Sequence, residues 1–173
     1  MKKYGFLVTL LLVGVVMLQA QELTNTYKKM GILLRYPSNY TISGESFDDG
    51  VFVFNCDINN DDLSCATFSI TEDNSFLFLN EEELQVACEM GIAACATELK
   101  TMYSNLKGGE FRYENTNGCI KVSQAIKANI FGTPMIGKIY MIIKGNKNIC
   151  VLLQAENAYY LKELNSIYKS LSF

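Results

Sequence analysis

The chain of 173 residues has the length of one domain. Its 49% hydrophobic content and formal net charge of −3 exclude a disordered chain, which needs low hydrophobicity and high net charge. Histidine is absent, which rules out a Ser-His-Asp triad, a Cys-His dyad and every histidine-ligated metal site.

Residues 1–20 read as a secretory leader. Lys2 and Lys3 form its basic start, Gly5 to Leu18 its apolar run, and Ala20 the small residue of a cleavage site. The run falls short of the roughly 20 apolar residues of a spanning helix, and polar Gln19, Gln21 and Glu22 follow it. The mature chain, a single domain over 21–173, is expected to hold no transmembrane segment. Loss of Lys2 and Lys3 leaves 13 basic against 18 acidic side chains, a formal charge of −5. The basic residues are scattered from Lys28 to Lys169 without a stripe, so nucleic acid is not expected as a partner.

The first strand candidate is 31–36, stopped by Pro37, which cannot donate to a ladder. Residues 51–56 and 65–71 alternate as strands around a polar loop, Asp57 to Ser64. A helix follows over 80–106, with Asn80 and Glu83 as a capping box and Glu81 to Glu83 at the positive end of its dipole. Leu84, Cys88, Gly91, Ile92, Cys95, Leu99, Met102 and Leu106 form its apolar stripe, and Gly108-Gly109 ends it. The Asn117-Gly118 pair then marks a two-residue hairpin turn, placing Glu114 opposite Lys121 and Tyr113 opposite Val122. With turns at Phe131 to Pro134 and at Gly145-Asn146, the strands are 110–116, 119–130, 135–144 and 147–155. A closing helix spans 157–170. An antiparallel meander flanked by helices belongs to the α+β class.

Six cysteines allow 15 complete pairings. A symmetric Asp57–Ser64 loop would set Cys56 opposite Cys65, within disulfide reach, and this is the expected bridge. Cys88 and Cys95 are about 10.5 Å apart along one helix and read as small core residues. The inferred registers place Cys150 beside Met141 and Met141 beside Gln124, leaving Cys119 and Cys150 too far apart to bond. Cys119, near Lys121, is the one candidate for an activated thiol. The spacings fit no C-x₂₋₄-C zinc site. Asp57-x-Asn59-x-Asp61 begins like a calcium loop, but Asp62 stands where glycine is needed and Phe68 where glutamate is needed. No metal, cofactor or catalytic set is therefore expected.

Gly31-Ile32-x-Leu34-x-Tyr36-Pro37-x-x-Tyr40 resembles the opening of PsbP/Mog1-like domains, and the terminal Leu171-Ser172-Phe173 is similar to their end. The resemblance covers about 27–173. It implies an α-β-α sandwich around an antiparallel sheet, and an accessory or binding role without a shared catalytic set. The six cysteines, and Tyr40 where many relatives carry tryptophan, depart from that pattern.

The function expected is therefore an exported, non-enzymatic module that binds an envelope protein or small ligand. Tyr36, Tyr40, Phe47, Tyr113 and Tyr140 are candidate contacts, since aromatics anchor interfaces disproportionately. One alternative is a hydrolase or transferase built on Asp48, Asp49, Asp61 and Asp62, which requires those carboxylates to converge in a pocket. The other is envelope lipid binding, which requires an apolar cavity between helix and sheet.

Overall fold

The computed structural model describes residues 22–61 and 63–173. The leader read at 1–20, and Asp62, fall outside the described residues. Strands β1 (Asn25–Lys29) and β2 (Ile32–Tyr36) form a separate antiparallel ribbon. Strands β3 (Tyr40–Asp48), β4 (Val51–Ile58), β5 (Cys65–Glu72), β6 (Ser104–Thr116), β7 (Cys119–Ile130), β8 (Thr133–Lys144) and β9 (Lys147–Ala155) form one sheet. Its order is β3-β4-β5-β9-β8-β7-β6, and every pair is antiparallel. A 3₁₀ turn, Asn74–Phe78, leads into α1 (Glu81–Leu99), and α2 (Ala158–Lys169) follows β9. The chain is α+β, as the strand patterning and turn signals predict.

The strands form because apolar and polar residues alternate on a backbone whose side chains point to opposite faces. In β4, Phe52, Phe54, Cys56 and Ile58 are buried while their neighbours are half-exposed. The turns follow local chemistry. Asn117 and Gly118 both take positive φ, 51° and 72°, the geometry of a type I′ hairpin. Glu114 pairs with Lys121 and Tyr113 with Val122, as expected.

Three expectations are corrected. The first concerns the β7–β8 turn, which consists only of Phe131-Gly132, with Ile130 paired to Thr133. Pro134 is already in β8, where that strand has no β9 neighbour to require its missing N–H. Met141 accordingly faces Val122 rather than Gln124.

The second concerns α1, which ends at Leu99. The capping box is present, with Glu83 N–H donating to Asn80 Oδ1 at 3.0 Å and Asn80 N–H to Glu83 Oε2 at 2.8 Å. Beyond Leu99 the chain turns, Asn105 takes φ 56°, and Leu106 packs on the same core from β6. The three- and four-residue spacing thus continues across a change of element. Gly108 and Gly109 lie in the bulged part of β6 and do not cap the helix.

The third concerns Cys56 and Cys65, which do not face each other. Cys56 pairs with Ala66, and Asp57 with Cys65. Asp61 Oδ1 accepts from Leu63 N–H (2.9 Å) and Ser64 N–H (2.8 Å), and Asn60 takes φ 66°, so the loop is asymmetric. A one-residue offset puts two side chains on opposite faces. The expected bridge is not made, and all six cysteines are free thiols.

Two cores lie on opposite faces of the sheet and are offset from each other. On one face, α2 and the β1–β2 ribbon cover β4, β5, β9 and part of β8. Tyr27 lies 4.7 Å from Phe54, which stacks on Phe68 at 4.7 Å. Paired hydrogen bonds between Leu33 and Ser172 (2.8 and 2.9 Å) stitch the chain end to β2. On the other face, α1 packs Cys88, Ile92 and Leu99 against β7 and β8.

Phe54→Ala should therefore destabilise the protein by about 3–5 kcal/mol. Phe47→Ala, at an exposed edge position, should shift stability by less than about 0.5 kcal/mol. Urea unfolding of the two variants measures both.

Candidate functional site

Of the acidic residues considered for catalysis, the three that are described, Asp48, Asp49 and Asp61, do not converge. Asp48 ends β3, Asp49 stands in the β3–β4 turn and Asp61 lies beyond the far end of β4. An eight-residue strand separates them, about 25 Å at the usual rise. Asp57, the first residue of the calcium-like run, accepts from the Ser43 hydroxyl. Among the described residues, no group of three metal-ligating side chains is assembled.

The aromatic candidates are also dispersed. Tyr40 and Tyr140 are buried, donating to Glu163 Oε2 (2.9 Å) and Asn165 Oδ1 (2.8 Å), and so anchor α2 to the sheet. Burial pushes the Tyr140 phenol up to about 12. Tyr36 is half-buried. Phe47 (65% exposed) and Tyr113 (50% exposed) sit on β3 and β6, the opposite edge strands of the sheet. They share no surface.

What the fold does assemble is a cationic face. Because α2 reaches only to β8, the same side of β7 and β6 is left uncovered. Alternation places Arg112 and Glu114 of β6, Lys121 of β7 and Lys138 of β8 on this side, around the buried Ser123 and Tyr140. Arg112, Ser123 and Tyr140 are direct cross-strand neighbours, a row about 10 Å wide. At the margin of α2, Tyr168 stacks on Tyr140 with ring centres 3.8 Å apart, and Lys169 adds a fourth cation.

Charge is poorly compensated there. Lys121 Nζ lies 3.4 Å from Glu114 Oε2, the one carboxylate among these cations, and 5.7 Å from the Tyr168 ring centre. Lys138 Nζ stands 4.5 Å from the centre of the Tyr140 ring, within cation–π range. Burial, then the positive fields of Arg112, Lys169 and Lys121, hold the Lys138 amine below its ordinary value despite Glu114. The Tyr168 side chain is 6% exposed, yet its hydroxyl has no hydrogen-bond partner. Burial raises its pKa, as do the neighbouring Tyr140, Glu114 and Cys119.

Cys119 borders this face without being activated. Burial raises its thiol pKa, an effect that Lys121 and Lys144 only partly oppose. As for a lipid site, a groove of about 370 Å³ runs between α1 and β6–β7, but Thr97, Lys100 and Gln124 interrupt its apolar lining. A cleft of about 670 Å³ lies between the β1–β2 ribbon and Ser170–Ser172, with Arg35 as its cation.

No family model matches the sequence, and no curated protein matches it. Among solved structures, the solution structure of cyanobacterial PsbP (CyanoP) from Synechocystis is similar, with a TM-score of 0.62 and 9% identity. The match covers 86% of this chain and 91% of that one. The fold is PsbP-like. A Pseudomonas aeruginosa protein of unknown function matches at a TM-score of 0.43 and 14% identity over 84% of this chain and 90% of that one, too loosely to support an argument. The PsbP-like fold agrees with the Tyr36-Pro37 opening and the terminal Ser172-Phe173, and at this identity it speaks to architecture alone.

Sequence reading missed the cationic face because its members come from three strands and a helix. Only the Glu114–Lys121 pairing was visible beforehand. Tyr140→Phe should lose the bond to Asn165 and about 0.5–1.5 kcal/mol of stability, whereas Tyr168→Phe removes an unpaired buried hydroxyl and should be neutral or stabilising by up to about 1 kcal/mol. Paired urea titrations without ligand distinguish the two.

Proposed function

We propose that this PsbP-like chain is exported and acts by binding rather than by catalysis, holding an acidic segment of an envelope protein on the Arg112–Lys121–Lys138–Lys169 face. The observation that carries the reading is this cluster of four cations around a single carboxylate, on an uncovered part of the sheet in a protein of formal charge −3. Arginine and tyrosine together suit a protein interface. The export reading rests on the basic start, apolar run and Ala20 of residues 1–20. Among the described residues, no helix is long and apolar enough to cross a membrane.

The partner's acidic character follows from electrostatic complementarity, which sets specificity and association rate. An open face about three strands wide favours an extended segment over a small molecule, which usually needs concavity. The cluster is short and contains Glu114, unlike the long basic tracks that follow a nucleic-acid backbone.

Titration with a decaglutamate peptide tests the reading. The double variant Lys121→Glu/Lys138→Glu should weaken binding at least about 10-fold, or 1.4 kcal/mol, and added salt should weaken the wild type. Equal binding by wild type and variant would remove the site, while preference for single-stranded DNA at equal charge would change the partner class. Because Lys138 loses its proton below the usual lysine range, affinity should begin to fall as pH rises through that lowered value, before the remaining lysines discharge.

A further inference from the structure

Strand β6 ends the sheet, with β7 on one side and, among the described residues, no strand on the other. Its first half is irregular, bulged between Ser104 and Lys107 and again between Gly108 and Phe111, but from Phe111 to Thr116 it pairs with β7 without interruption. Along that stretch every residue except half-buried Phe111 is exposed. The opposite edge, β3, is bulged in its middle between Ser43 and Ser46. The β1–β2 ribbon also holds Glu45 of β3, through Lys29 and through the Tyr27 hydroxyl at 2.9 Å.

In an antiparallel pair, alternate residues exchange backbone hydrogen bonds and those between them turn theirs away. Thr116 and Cys119 close the two-residue turn as a bonded pair, so Arg112, Glu114 and Thr116 direct their backbone groups to β7. Phe111, Tyr113 and Asn115 direct theirs outward along the free edge.

We propose that two copies of this chain dimerise by antiparallel pairing of these β6 edges about a two-fold axis at Tyr113, which joins their sheets into one. Such an axis makes every contact occur twice. It sets Phe111 opposite Asn115 of the other copy, and Arg112 opposite Glu114 of the other copy.

Charge selects that register. Directly opposed unlike charges favour a strand pair, and like charges oppose it. Sliding one copy by two residues sets Arg112 against Arg112 or Glu114 against Glu114. Sliding it by four reaches the Gly108–Phe111 bulge or the Asn117-Gly118 turn. A one-residue slip turns the two sets of side chains to opposite faces. Charged edge residues ordinarily discourage pairing, but in this register they complement each other. Lys121 holds Glu114 through Oε2, and a carboxylate accepts at both oxygens.

The inference goes beyond the acidic-partner reading and does not rest on it. Pairing sets the two cationic faces side by side, with Lys121, Lys138 and Lys169 of each copy outside the contact.

Sedimentation equilibrium of the purified protein over a range of concentrations tests the proposal, with Arg112→Glu, Glu114→Arg and their equimolar mixture beside the wild type. The wild type should dimerise. Each variant alone should dimerise at least about 10-fold more weakly, since like charges then meet at both contacts. The mixture should recover the wild-type strength, because unlike charges meet again. Amide hydrogen exchange at Phe111, Tyr113 and Asn115 should slow as the wild-type concentration rises. Monomer at every concentration up to about 1 mM, dimers indifferent to both variants, a mixture no stronger than either variant alone, or unchanged exchange at those three amides would overturn the proposal. The exchange measurement uses the unaltered chain, so it decides the matter even if a variant fails to fold.

Discussion

The architecture depends on apolar burial on both faces of β8 and β9, because only along these strands do the two cores overlap. Ile142, Ile149, Val151 and Leu153 face the ribbon and α2, while Ile139, Met141 and Ile143 face α1. The remaining strands are each covered mainly on one side. Two opposite parts of the sheet are therefore left bare, one over β3 to β5 and the other over β6 and β7.

The two bare areas differ chemically. Over β3 to β5 the polar groups pair among themselves, Ser43 with Asp57 and Thr67 Oγ1 with Asn55 Oδ1 at 2.8 Å. Over β6 and β7, Arg112, Lys121, Lys138 and Lys169 share Glu114. Self-paired groups gain little from a ligand, whereas crowded like charges are relieved by one of opposite sign. The functional reading therefore rests on the second area. The stacked Tyr140 and Tyr168 rings make its α2 margin rigid, an advantage when a site must not reorganise on binding.

Local signals made much of the fold legible. Asn117-Gly118 specified a turn and with it the β6–β7 register, because few residues tolerate two consecutive positive φ values. Asn80 with Glu83 specified a helix start by side-chain hydrogen bonding alone. The misread features depended on context. Leu99 and Leu106 have helical spacing but reach one core from two elements, and the Cys56–Cys65 register was decided by the Asp61 turn. Strand β3 escaped notice because its polar residues surround Gly44, whose φ of 62° accompanies a bulge. The cationic face was least legible. Alternation indicates which residues share a side of a strand, but not where the covering helix stops.

The central claim is that the part of the sheet left bare beside α2 is the contact surface. Amide chemical-shift mapping of the labelled protein with an acidic peptide tests it most directly. The account predicts perturbations concentrated at Arg112–Glu114, Lys121–Ser123, Lys138–Tyr140 and Tyr168–Lys169. Perturbations confined to another surface, such as the exposed Val86 and Met90 side of α1, would contradict it.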